Sequence, residues 1–152
     1  LMPIATSSDK IDLSTENKTE ELANNILKKL KTGDVIFLYG EMGVGKTTFI
    51  KYLINGFQKI NRLKLTEITS PTFNILNEYQ INQLKINHYD LFRLKSIEEI
   101  KNLGLFEDNK NTITLIEWPQ IIKETPKNLI ELSFNYEDNH EKRSVQIKGL
   151  VL

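Results

Sequence analysis

Apolar residues at Leu22, Ile26, Leu27 and Leu30 fall on one face of a 3.6-residue period, which predicts an amphipathic helix over 17–31. Asn17 and Glu20 have the spacing of a capping box, and Gly33 follows as a stop. "VIFLY" (35–39) is apolar without alternation, as expected of a strand covered on both faces. The helical period returns from Lys46 to about Phe57, with Phe49, Ile50, Leu53, Ile54 and Phe57 on the core stripe.

The second half of the chain reads mostly as strands. "FNILNEYQ" and "LKINHYD" predict two strands across the turn Gln80–Gln83, with Phe73, Ile75, Asn77 and Tyr79 on one face of the first and Leu84, Ile86 and His88 on one face of the second. "SIEEIKNLG" (96–104) predicts a short helix, started by the Ser96/Glu99 capping box and stopped by Gly104. "TITLIEWP" (112–119) reads as another buried strand, closed by Pro119. "LIELSF" and "SVQIKGL" predict a terminal hairpin, with Ile130, Leu132 and Phe134 alternating against Val145 and Ile147. There is no internal repeat or linker. The expectation is one α/β domain over 1–152, with a loosely ordered segment over 1–14.

Composition narrows the function classes. The 152 residues include 20 basic and 20 acidic ones, so bulk electrostatics give no grip on nucleic acid. A local basic patch, or docking to a protein that binds nucleic acid, stays open. No cysteine is present, which removes disulfides and thiolate metal sites. No apolar run has membrane-spanning length and the N-terminus has no signal-like h-region, so a cytoplasmic protein without a membrane partner is expected.

"GEMGVGKT" (40–47) matches G-x-x-x-x-G-K-[ST] between a predicted strand and a predicted helix, the context that a phosphate loop requires. Gly40, Gly43 and Gly45 allow a tight turn and close backbone approach to phosphate. The helix N-terminus adds positive potential. Lys46 is placed to reach the β- and γ-phosphates, and the Thr47 hydroxyl suits magnesium. A magnesium site also needs a carboxylate at a neighbouring strand tip, and both Glu117 and Asp90 qualify. "TSPTF" (69–73) lies where triphosphatases carry switch loops, so Ser70 and Thr72 are candidates to meet the γ-phosphate or the attacking water. His88 is read as a structural histidine, Trp118 as a core or rim aromatic beside Glu117, and Arg93 as an exposed arginine.

"GEMGVGKTTF", "SPTFNILNEY", "HYDLFRL", the short helix ending "LGL", and "LIEWPQ" occur in this order. Over about 15–120 the chain resembles the TsaE (YjeE) family, the bacterial ATPases of tRNA threonylcarbamoyladenosine synthesis. The resemblance implies a three-layer α/β domain of the P-loop NTPase type, with a central mixed, largely parallel sheet. It implies ATP and Mg2+ as cofactors, TsaD and TsaB as protein partners, and tRNA met only through that complex. TsaD would carry out the threonylcarbamoyl transfer, and ATP hydrolysis would sustain its repeated cycles. Gly43, Val44, Gly45, Lys46, Thr47 and Thr48 would hold the phosphates, and Thr47 and Glu117 the magnesium. Asp90 would be needed for hydrolysis, with Trp118 a neighbour of the site. The catalytic candidates are then Lys46, Thr72, Asp90 and Glu117. Phe92 departs from the usual Asp-Leu-Tyr-Arg motif and removes one hydroxyl.

Two rival readings differ in testable sequence features. A small P-loop kinase acting on a nucleoside or other metabolite uses lid arginines, whereas Arg62, Arg93 and Arg143 are the only arginines and form no cluster in sequence. A GTPase switch needs Asn-Lys-x-Asp and D-x-x-G strings, and neither occurs.

Overall fold

The computed structural model describes residues 9–71, 73–107 and 110–152. Its centre is a seven-stranded sheet made of β1 (Ile11–Asp12), β2 (Val35–Tyr39), β3 (Leu76–Ile81), β4 (Leu84–Asp90), β5 (Thr112–Glu117), β6 (Leu129–Glu137) and β7 (Lys142–Lys148). The spatial order is β1-β7-β6-β2-β5-β4-β3. The helices are α1 (Glu16–Leu27), α2 (Lys46–Ile60) and α3 (Ile97–Leu103), with one 3-10 turn at Pro119–Ile121. No helix of the described residues is long and apolar enough to cross a membrane.

The two unalternating apolar segments became the central strands β2 and β5, which pair in parallel with Leu38 opposite Glu117. Their side chains divide between two cores. Ile36, Leu38, Ile113 and Leu115 face the core shared with α1 and α2; Val35, Phe37 and Ile116 face the one shared with Ile100 of α3 and Leu105. Helices therefore cover both sheet faces, which is the three-layer arrangement expected.

The sheet is mixed, but less parallel than expected. β2 pairs in parallel with β5 and β6, and β4 with β5; β1–β7, β3–β4 and β6–β7 are antiparallel. Short turns explain this: Asn82–Gln83 and the 138–141 loop each reverse the chain, while the longer connections from β4 to β5 and from β5 to β6 return it parallel. The parallel strands are thus confined to the middle, where both faces are covered.

α1 begins and ends earlier than its apolar period implies. Its N-cap is Thr15, whose extended backbone lets the side chain accept the Lys18 N–H; Asn17 already lies within the first turn. The helix stops at Leu27, and Gly33 instead donates its N–H to the Thr112 carbonyl at 2.8 Å, tying the loop to β5. Of the 1–14 segment expected to be loose, 1–8 lies outside the described residues; further on, residues 11–12 pair with β7 as a short edge strand and Leu13 is buried. In α3 both predicted caps occur: the Ser96/Glu99 box and Gly104 in the left-handed region.

Candidate active site

The loop from β2 to α2 is shaped by its glycines. Gly45 is the N-cap of α2 at φ 117°, ψ 11°, and the helix has no side-chain cap. The opening amides of Lys46, Thr47 and Thr48 are thus left to an external acceptor, and the helix dipole favours an anion there. Gly40 stands at φ 148°, and a Cβ there would meet Val44 Cγ1 at 2.8 Å and the Phe134 carbonyl oxygen at 3.0 Å. The loop consequently lies hard against β6. Val44 contributes differently from its neighbours: its side chain is buried in the core and its N–H donates to the Glu41 carbonyl at 3.2 Å. Only its backbone is near the cradle.

Lys46 is 4% exposed. Its Nζ donates to the Gly40 carbonyl at 2.5 Å and lies 3.9 Å from the centroid of a Trp118 ring. Burial pushes the ammonium's pKa down, while the charges of Glu117 and Asp90 push it up. Trp118 has a left-handed backbone, φ 57° and ψ 56°, which is uncommon for a bulky residue and turns the chain sharply after Glu117. Phe92 packs on the indole with 4.8 Å between centroids.

Asp90 and Glu117 face each other in register at the ends of β4 and β5. Two carboxylates therefore meet beside the phosphate loop. Burial pushes the Asp90 carboxyl up; the Phe92 N–H pulls it down and the Glu117 charge raises it further. Glu117 is 3% exposed. Its Oε2 accepts from His88 Nε2 at 2.7 Å and from Ser70 Oγ at 3.4 Å. Ser70 Oγ is also 2.7 Å from Thr47 Oγ1. Thr47, Ser70, Glu117 and His88 thus form one string of polar contacts.

A cavity of about 460 Å³ joins these parts, within the size range of small-molecule sites. Gly43, Gly45, Lys46, Thr47 and Thr48 line one side, and Ser70, Asp90, Glu117 and Trp118 another. Thr72 lies outside the described residues. Arg93 and Arg143 also reach the cavity, although they are fifty residues apart in the chain. Arg93 lies 5.6 Å from the Phe73 ring and Arg143 5.9 Å from the Tyr136 ring. The string-level absence of an arginine cluster did not foretell this convergence.

The donor set fits magnesium. Its atoms are hard oxygens, one or two carboxylates plus hydroxyls, and among the described residues no group of three or more His, Cys, Asp and Glu forms a metal cage. A magnesium ion that takes its other ligands from phosphates and water needs no such cage.

The role of His88 was also unread from sequence. It alternates with Asp90 along β4 and pairs with Leu115, so it sits diagonally beside Glu117. That neighbour relation depends on strand order, which the pattern of apolar residues does not contain.

Comparison with known proteins agrees with the fold. The family model described as "Threonylcarbamoyl adenosine biosynthesis protein TsaE" matches residues 13–145. The tRNA threonylcarbamoyladenosine biosynthesis protein TsaE of Rickettsia conorii is 42% identical over 132 residues, 86% of this chain and 73% of the relative. Its counterpart in Rickettsia typhi is 41% identical over 138 residues, 90% of this chain and 92% of the relative. The crystal structure of Bacillus subtilis YdiB superposes with a TM-score of 0.64 at 24% identity, covering 91% of this chain and 83% of that one, and so shares the fold. With a family model spanning nearly all of the sheet, and relatives at this identity over most of their length, the chain belongs to the TsaE family.

Proposed function

We propose that this protein is a magnesium-dependent ATPase of tRNA threonylcarbamoyladenosine synthesis, working in the cytoplasm in support of the TsaD–TsaB transferase. The observation that carries the reading is the convergence of Lys46, Thr47, Ser70, Asp90 and Glu117 on one cavity at the N-terminus of α2. The glycine-rich backbone from Gly43 to Thr48 cradles the phosphates. Lys46 leaves the Gly40 carbonyl for the β- and γ-phosphate oxygens, and Thr47 with Glu117 holds the metal. Magnesium, when bound, supplies positive charge against those oxygens. Asp90 stands at the cavity wall with a carboxyl held above its ordinary range, suited to accept a proton from the attacking water. Water adds to the γ-phosphorus, the bond to the β-phosphate bridging oxygen breaks, and ADP and phosphate leave. Thr72, two residues after Ser70 in the sequence, is proposed to help place that water.

Arg93 and Arg143 at the cavity are the observation that favours a second reading, a small P-loop kinase whose arginines clamp the transferred phosphoryl. A multiple-turnover tRNA modification assay with purified TsaD, TsaB, tRNA and this protein separates the two. The expected result is many modified tRNAs per TsaD with the intact protein, and about one without it or with Lys46→Ala or Asp90→Asn. Equal yield with and without the protein refutes the role. Rapid phosphorylation of a nucleoside by the protein alone establishes the kinase.

A further inference from the structure

His88 is fully buried, and its Nδ1 has no hydrogen-bond partner among the described residues. Its one polar contact is Nε2 to Glu117 Oε2 at 2.7 Å. A carboxylate oxygen accepts a hydrogen bond, so the ring atom that faces it, Nε2, is assigned the proton. Burying an imidazole with one nitrogen unpaired costs more than burying a leucine in the same place. A neighbouring buried position on the partner strand, Leu115, is indeed apolar.

The direction of the contact suggests what the ring does. Both hydrogen bonds to Glu117, from His88 and from Ser70, fall on Oε2, and Ser70 in turn contacts Thr47. His88 approaches from the closed interior and Ser70 from the cavity. A ring fixed in β4 therefore sets the rotation of a carboxylate fixed at the end of β5. Metal-binding carboxylates elsewhere are commonly oriented by such an outer partner.

We propose that His88 is a positioning residue for Glu117: its Nε2–H holds Oε2 so that the carboxylate presents its free lone pairs to magnesium beside the Thr47 hydroxyl. The inference rests on the reading of Glu117 as a magnesium ligand. It assigns His88 no contact with nucleotide or metal.

Two measurements test it. The chain has only two histidines, His88 and His140, so 15N NMR of the imidazoles resolves His88 once His140→Gln has assigned the other signal. The wild-type protein is expected to show the Nε2–H form at His88, with a signal that moves when magnesium is added to protein already holding a non-hydrolysable ATP analogue. An Nδ1–H form, or an Nε2 signal unmoved by magnesium, overturns the proposal, and neither result depends on a variant folding. The second measurement uses His88→Leu, which keeps bulk and loses the donor, and His88→Gln, whose amide restores one. The magnesium concentration for half-maximal change in Trp118 fluorescence, at fixed nucleotide, is expected to rise about 10- to 100-fold in His88→Leu and to return most of the way in His88→Gln. Nucleotide affinity in EDTA should stay the same in all three. A normal wild-type response with no shift in His88→Leu, or a Gln variant as impaired as Leu, overturns the inference alone. A wild-type protein with no magnesium-dependent response overturns the magnesium–ATP reading, and this inference with it.

Discussion

Asp90 and Glu117 end adjacent parallel strands, so two carboxylates share one wall of the cavity, and the Glu117 charge raises the cost of ionising Asp90. For Asp90 burial is the larger cause, and it holds the carboxyl above its ordinary range. A raised carboxyl favours the fold while it is protonated, and that contribution is lost as pH rises through the raised value. Asp90→Asn should therefore gain stability relative to wild type as the pH goes from the carboxylate range to neutrality. Its ATPase should fall by about 10²-fold or more if Asp90 takes the proton. Urea unfolding of both proteins across that pH range, beside a steady-state ATPase assay, checks both halves. A stability difference between the two proteins that does not move in the variant's favour as the pH rises would contradict the direction of the shift. Glu117 stands out in the sequence because an acid closing so apolar a strand needs a reason. The contact between His88 and Glu117 could not be read there, because Glu117 lies on the neighbouring strand, two residues beyond the one that His88 pairs with. Arg143 was equally hidden: only the folding of the terminal hairpin beside the phosphate loop brings it to the cavity.

At the level of elements, β2, α2, α3 and β5 were read with their types and nearly their limits, because period and caps agreed locally. α1 misled at its start, where Asn17 and Glu20 stood at capping-box spacing while the extended residue that caps the helix is Thr15. Sheet order was beyond local pattern, since it follows from which strands the helices allow to return in parallel. The loop from β2 to α2 makes its own prediction. Gly40→Ala places a methyl group against Val44 and the Phe134 backbone in a conformation that L-residues avoid. The expected cost is about 1–3 kcal/mol, read as a lower urea midpoint with an unchanged slope. Because α2 hangs from this turn, nucleotide affinity should fall together with stability. An alanine variant as stable as wild type would mean that the loop does not need its close approach to β6.

Over the whole molecule the twenty basic and twenty acidic residues cancel, which suits a protein that meets tRNA through partners better than one that grips it directly. The cavity is open to one side, and exposed apolar side chains stand at its rim, Met42 at 65% and Phe73 at 89% exposed. The Lys46 ammonium is engaged by the Gly40 carbonyl and the Trp118 ring, and on the proposed reading a nucleotide phosphate would have to draw it away from them. The isolated protein is accordingly expected to hydrolyse ATP slowly and to speed up when TsaD and TsaB are present. Titration calorimetry of ATP with magnesium into wild type and Lys46→Ala tests the assignment of this cavity most directly. The expected result is saturable binding of one nucleotide per chain, weakened in Lys46→Ala by on the order of 2 kcal/mol or more for the lost charge-assisted contacts. Equal ATP affinity in the two proteins, together with equal ATPase activity, would contradict it.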